Sequence, residues 1–374
     1  MTTLTNYLSP STMHSLGWAL LHFLWQGTAV AALAAVLMTL CRRASARYVT
    51  ALGALVLMLA APITTFFFLT SSSASAPTKV DLPVQAEPTI ALNFAARASS
   101  EISRFSPSLD AAPWLVEVWL LGVVFFSLRS AGGFLLLERE RRKQSTLVSP
   151  RVLAMCETLQ RQLGLGRAIR YCECAWLQAP AVIGWSRPIV LLPVTALTGL
   201  SEEQLQSIIV HELAHIQRLD PFVNVFQIFV ETLLFYHPAV WWLNKTIRAE
   251  REHCCDDVAV TLCGNPVEYA RALTLMEEWR TAPALAMAAN RGPLTERIFR
   301  VLGLKSIGAR TRGIGLIGAL LCLTAALVAG NALLGIAYPK PIVYASQTGL
   351  AHLAWSSGAS QQSAPAPAAT PAPK

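Results

Sequence analysis

Long apolar runs occupy the two ends of the chain, and a stretch of mixed polarity with helical and strand periods separates them. Residues 14–41 and 48–70 are apolar over lengths that suffice to cross a bilayer, whose hydrocarbon core takes about 20 helical residues. Residues 112–130 form a third such run, interrupted by Glu117 and closed by Arg129, and residues 313–338 form a fourth. Between the second and third, residues 71–111 are rich in Ser, Ala and Pro and predict an exposed outer loop. Residues 339–374 end in an Ala/Pro-rich, low-complexity tail that spans distance rather than folds. The pattern predicts an N-terminal membrane region over 1–143, a globular domain over 144–308, a fourth transmembrane helix over 313–338 and the tail.

Inside the globular stretch the periods change. Residues 180–193 read as a hairpin whose marginal prolines suit an edge strand. Ser201-Glu202-Glu203-Gln204 reads as a capping box, and Leu205, Ile208, Ile209 and Val210 supply the apolar face of the helix it opens. Asp220-Pro221 stops that helix, and residues 245–262 read as another.

Composition and charge turn these runs into a membrane topology. With 53% hydrophobic residues, 14% charged residues and a mean hydropathy of +0.45, the chain is too apolar for an ordinary soluble protein. Basic residues cluster at Arg42, Arg43 and Arg47, then at Arg129, Arg139, Arg141, Arg142 and Lys143, then at Lys305, Arg310 and Arg312. All three clusters fall on one side if the N-terminus is outside, so the positive-inside rule puts residues 144–308 in the cytoplasm and the tail outside. The net charge of +8 is therefore read as anchoring toward the lipid bilayer, and no direct nucleic-acid partner is expected. The first run has no basic segment before it and a double Arg after it, which predicts a retained anchor rather than a cleaved signal peptide. Eight cysteines without a C-x-x-C pair agree with a reducing compartment, and Cys172-Glu173-Cys174 is read as part of a strand.

The chemistry lies in His211-Glu212-Leu213-Ala214-His215. Histidines four apart leave one face of a helix, so both imidazoles can hold one Zn²⁺ at about 2.0–2.1 Å. Glu212 then stands beside the metal, placed to take a proton from the attacking water and pass it to the leaving amine. A hydrolytic zinc site needs a third ligand, and Glu252 is the favoured one, with Asp256 one turn on to accept the free N–H of a ligating His. His237, His253, Cys254, Cys255 and Asp220 are chemically competent alternatives, but a carboxylate suits a hydrolase better than a thiolate. Residues 221–244 are apolar enough to tempt a fifth span, yet spanning there would separate His215 from Glu252. They are read as a buried or membrane-dipping helical hairpin.

Taken together, the segments 180–193, 211–220, 237–242 and 251–256 resemble the BlaR/MecR-type antirepressor membrane metallopeptidases, over most of the chain from the first span to the fourth. The resemblance implies an α-helical multi-pass protein of the bacterial cytoplasmic (inner) membrane carrying a cytoplasmic α+β gluzincin-type domain. Its zinc ligands would match His211, His215 and Glu252, its general base Glu212, and its supporting acid Asp256. It implies a protein or peptide substrate, either the chain itself, cut between residues 281 and 312, or a transcriptional repressor; a homodimer is a further expected partner. Residues 339–374 are too few for the penicillin-binding sensor of β-lactam transducers, so direct antibiotic sensing is not expected. A housekeeping membrane protease of the Ste24/HtpX-like kind and a catalytically silent scaffold are the competing readings.

Overall fold

The computed structural model describes residues 9–74, 111–143, 146–184, 187–280, 293–304 and 311–337. Most of the expected outer loop, the tail, and residues 281–292 and 305–310 of the expected cleavage region lie outside the described residues. Among the described residues four helices are long and apolar enough to cross a membrane: α1 (Pro10–Leu40), α2 (Ala44–Ala74), α3 (Ala111–Lys143) and α11 (Thr311–Ala337). Each is longer than the roughly 20 residues a bilayer needs. In α3 the apolar window runs from Trp114 to Leu136, past Arg129, because Phe134, Leu135 and Leu136 continue the exposed apolar surface.

Between α3 and α11 the chain forms a small sheet and seven helices among the described residues. Strands β1 (Thr146–Leu147), β2 (Arg170–Cys174), β3 (Ala181–Ile183) and β4 (Ile189–Pro193) lie in the order β1-β2-β4-β3. β2 and β4 pair in parallel, while β1 and β3 pair antiparallel with β2 and β4, so β3 is an edge strand. The helices are α4 (Pro150–Gln162), α5 (Val194–Gly199), α6 (Glu202–Gln217), α7 (Asp220–Leu233), α8 (Pro238–Cys263), α9 (Pro266–Arg280) and α10 (Pro293–Val301). α4, α7, α8, α9 and α10 each have Pro within their first two residues, where the missing N–H has no intrahelical partner to lose.

Two apolar cores meet along α8. One joins Phe23 and Met38 of α1, Tyr48, Leu55 and Met58 of α2, Val230 of α7 and Leu243 and Ile247 of α8. The other packs Tyr171, Val190 and Leu192 of the sheet against Leu205, Ile208, Ile209 and Leu213 of α6, with Ala259 of α8 and Tyr269 of α9. Because strand side chains alternate, Cys172, Cys174 and Leu191 face the opposite side of the sheet and form their own small cluster. The Cys-Glu-Cys triplet is thus strand packing.

Residues 220–263 fold as two helices, α7 and α8, joined by a short turn at His237. His237 Nδ1 accepts from the Ala239 amide at 3.1 Å, capping α8, so its Nε2–H donates to the Leu24 carbonyl of α1 at 3.0 Å. The approach needs Gly27, since a Cβ there would stand 2.8 Å from His237 Nε2. His237 therefore ties α8 to α1, and its ring has no nitrogen left for a metal.

Candidate metal centre

Both ends of α6 are fixed by local chemistry. The capping box forms in both directions: the Ser201 hydroxyl accepts from the Gln204 amide at 3.3 Å, and the Gln204 side chain accepts from the Ser201 amide at 3.1 Å. At the other end Leu219 adopts φ 59°, ψ 31°, a left-handed conformation costing about 1–2 kcal/mol for a residue with a Cβ. That turn brings Asp220 back under the helix it has just left, with Oδ2 2.8 Å from His215 Nδ1.

The rings of His211 and His215 stand 4.9 Å apart and almost perpendicular. Glu252 of α8 faces both, with Oε2 3.5 Å from His211 Nε2 and Oε1 3.9 Å from His215 Nε2. One donor atom from each of the three residues lies within 4.8 Å of the others. Ligands bound tetrahedrally at about 2.0–2.1 Å stand roughly 3.3–3.4 Å apart, so small side-chain adjustments suffice to close the trio on one ion.

The far sides of both rings are already engaged. His215 Nδ1–H donates to Asp220. His211 Nδ1–H donates to the Tyr269 hydroxyl at 2.9 Å, and that hydroxyl donates to Asp256 Oδ1 at 2.7 Å. These bonds hold a proton on each Nδ1, so Nε2 is the nitrogen that faces Glu252 and is left to bind a metal. Asp256 itself is 3.4 Å from His211 Nδ1, so the carboxylate expected to support the histidine does so chiefly through Tyr269. Arg297 of α10 closes the rear, giving Asp256 two hydrogen bonds at 2.6 and 3.0 Å and lying 3.4 Å from Glu252 Oε2.

Electrostatics fit a cation. Burial opposes a charge on His211, but the carboxylates of Asp256 and Glu252 outweigh it and raise its pKa to about 9. Burial would raise Glu252, yet its hydrogen bond to His211 and the charges of His211, His215 and Arg297 hold it down at about 2. Against the same burial, Asp256 is held well below the usual carboxylate range by His211 and Arg297. A site that keeps a proton on a buried imidazole attracts positive charge, and a divalent ion can replace that proton.

The alternative ligands are accounted for by their surroundings. Cys254 belongs to the core shared with α1 and α2. His253 Nδ1 faces Glu250 Oε2 at 3.5 Å. Cys255 Sγ lies 3.3 Å from His215 Nδ1 and 3.7 Å from Asp220 Oδ2, forming a second trio behind the ring. In that trio the 2.8 Å His–Asp separation is a hydrogen bond, and burial pushes the Cys255 thiol well above its usual pKa, away from the thiolate a metal needs.

The three donors and Glu212 open onto a cleft of about 590 Å³, bordered by Val182, Ile183 and Gly184 at β3, by Asn224 and Ile228 of α7, and by Phe134 of α3. Glu212 is nearly buried at the cleft wall. Tyr269 and Arg297 escape a reading of the sequence because no motif marks them: they lie 58 and 86 residues beyond His211 and reach it only through the fold.

A mostly helical membrane protein with a His-Glu-His-Glu cleft is, by this arrangement, a metallopeptidase-like membrane protein. Residues 20–301, three quarters of the chain, match the family described as BlaR1 peptidase M56, and the chain belongs to that family. It is also similar to "Regulatory protein BlaR1" of Bacillus licheniformis, 24% identical over 151 residues, which is 40% of this chain and 25% of that protein. The match spans about a quarter of that relative's length.

Proposed function

We propose that the chain is a zinc-dependent endopeptidase of the cytoplasmic membrane that acts in a regulatory pathway. The observation that carries this reading is the convergence of His211, His215 and Glu252 at the mouth of a cleft that also holds Glu212. In this reading His211, His215 and Glu252 hold Zn²⁺, and Glu212 is the general base. Zinc, when bound, supplies a Lewis acid that polarises the scissile carbonyl. Glu212 takes the proton from the attacking water and delivers it to the departing nitrogen. Asp220 and the Asp256–Tyr269 pair hold the two imidazoles in one tautomer and one orientation.

The substrate is an extended peptide. β3 is the outer strand of the sheet and borders the cleft, so a segment pairing with it by strand addition passes over the donors. Residues 144–308 form the peptidase domain, of gluzincin type, facing the cytoplasm, with N-terminus and tail outside. The basic residues flanking the candidate spans support that orientation. The regulatory name of the relative and the family membership support a signalling role. In this reading the substrate is a transcriptional repressor or the chain itself, and the assembly is a homodimer.

The test is the purified full chain in detergent, assayed for zinc and for cleavage of itself and of repressor-derived peptides, beside Glu212→Gln. Zinc in both proteins with cleavage only in the wild type supports the reading. A wild-type chain without zinc refutes the ligand assignment.

A further inference from the structure

The donors sit on α6 and α8, but one part of the site arrives from α10. Arg297 uses a guanidinium fork on Asp256, Nη2 to Oδ1 at 2.6 Å and Nε to Oδ2 at 3.0 Å, and its remaining Nη1 lies 3.4 Å from Glu252 Oε2. One side chain therefore spans two carboxylates a helical turn apart, which would otherwise repel each other. Two of the three oxygens it engages are the one Tyr269 also uses to hold His211 and the one nearest His211 Nε2. Three turns of consequence follow: Arg297 fixes Asp256, Asp256 fixes the Tyr269 hydroxyl, and the hydroxyl fixes the His211 ring. By the separate contact it fixes Glu252.

α10 is held on α8 by a second arginine, on the same face one turn on. Arg300 Nη1 donates to the His253 carbonyl at 2.9 Å and Nη2 to Asp257 at 2.6 Å. Arg297 is 17% exposed and its partner Asp256 1%, whereas Arg300 is 28% and Asp257 55% exposed, so the Arg300 anchor is the more easily loosened of the two. α10 is also the last described helix before α11, a candidate membrane span.

We propose that Arg297 is a positioning residue that sets Glu252 and the Asp256–Tyr269–His211 relay, so that the metal site is complete only while α10 is docked on α8. This rests on the reading of His211, His215 and Glu252 as ligands. The helix that completes the site is thus the last described helix before the candidate span α11, and its undocking would release Glu252 and the His211 relay together.

The experiment uses full-length protein loaded with Co²⁺, whose visible absorption reports ligand geometry, and follows metal loss to excess chelator for wild type, Arg297→Met, Arg297→Lys and Arg300→Met. Arg297→Met should change the cobalt spectrum and speed metal release by about 10–100-fold, the range for partners that orient a ligand. Arg297→Lys keeps the charge but loses the fork, and should recover only part of the wild-type behaviour. Arg300→Met should speed release in the same direction by a smaller factor, with an unchanged spectrum while the metal is bound. If Arg297→Met unfolds, as a thermal melt would show, Arg297→Lys and Arg300→Met still decide the matter. Wild-type spectrum and release in both Arg297 variants overturn the proposal, and wild-type release in Arg300→Met overturns its dependence on docking. A wild-type chain that binds no cobalt overturns both this proposal and the metallopeptidase reading, whereas cobalt binding with unaltered variants overturns the proposal alone.

Discussion

Asp220→Asn distinguishes a metal ligand from a residue that orients one. From the sequence Asp220 is a competing ligand; in the fold it lies behind His215, with Oδ2 2.8 Å from Nδ1, and only 2% of it is exposed. Asparagine keeps the size and an acceptor oxygen, so the hydrogen bond survives as a neutral one. A hydrogen bond to a charged group contributes about 1.5–3 kcal/mol and a neutral one about 0.5–1.5, a difference near 1–1.5 kcal/mol. At about 1.4 kcal/mol per decade that is roughly a five- to tenfold loss of zinc affinity, at the lower edge of the range for partners that orient a metal-binding histidine. Competition titration of the purified chain against a chromogenic chelator measures it, with stoichiometry of one zinc per chain retained. Loss of zinc beyond detection would show that Asp220 is itself a ligand, and unchanged affinity would show that its charge does not act on His215; either result refutes the argument.

Other consequences are more direct. Glu212→Gln should retain zinc and lose about two to four orders of magnitude of peptide hydrolysis, read as kcat on a cleaved peptide. Chelator-treated protein should be inactive and recover on adding zinc, whereas Mg²⁺, which prefers oxygen ligands, should not restore it. The proton on metal-free His211 makes metal uptake pH-dependent: its pKa of about 9 lies above the ordinary value, so the proton is held at neutral pH and lost as pH rises through 9. Zinc binding near pH 7 should therefore release about one proton from His211 and fewer above pH 9, measurable by calorimetry in buffers of different ionisation enthalpy. Gly184 sits at φ 88° beside the cleft, and a Cβ there would meet the Arg187 carbonyl at 3.0 Å. Gly184→Ala should cost about 1–2 kcal/mol locally and raise KM for an extended peptide more than it lowers kcat.

What the sequence determined by itself are features set within one or two turns of chain. The four apolar runs become helices long enough to span because a bilayer leaves backbone groups no partner outside the helix. Ser201 and Gln204 cap α6 through each other, and the i, i+4 spacing alone puts His211 and His215 on one face. Glu252 is legible because it shares a helix with Asp256 at the same spacing. Only the tertiary structure decided what stands behind these groups. Leu219 in a left-handed turn sends Asp220 to the Nδ1 side of His215 rather than to the side facing Glu252, Tyr269 enters between His211 and Asp256, and Arg297 arrives from a helix 41 residues beyond Asp256. The reason is physical: a ligand set can be written in helical periodicity, but the hydrogen bonds that orient it join elements brought together by burial of apolar faces, and burial does not specify in advance which polar atom lies opposite which.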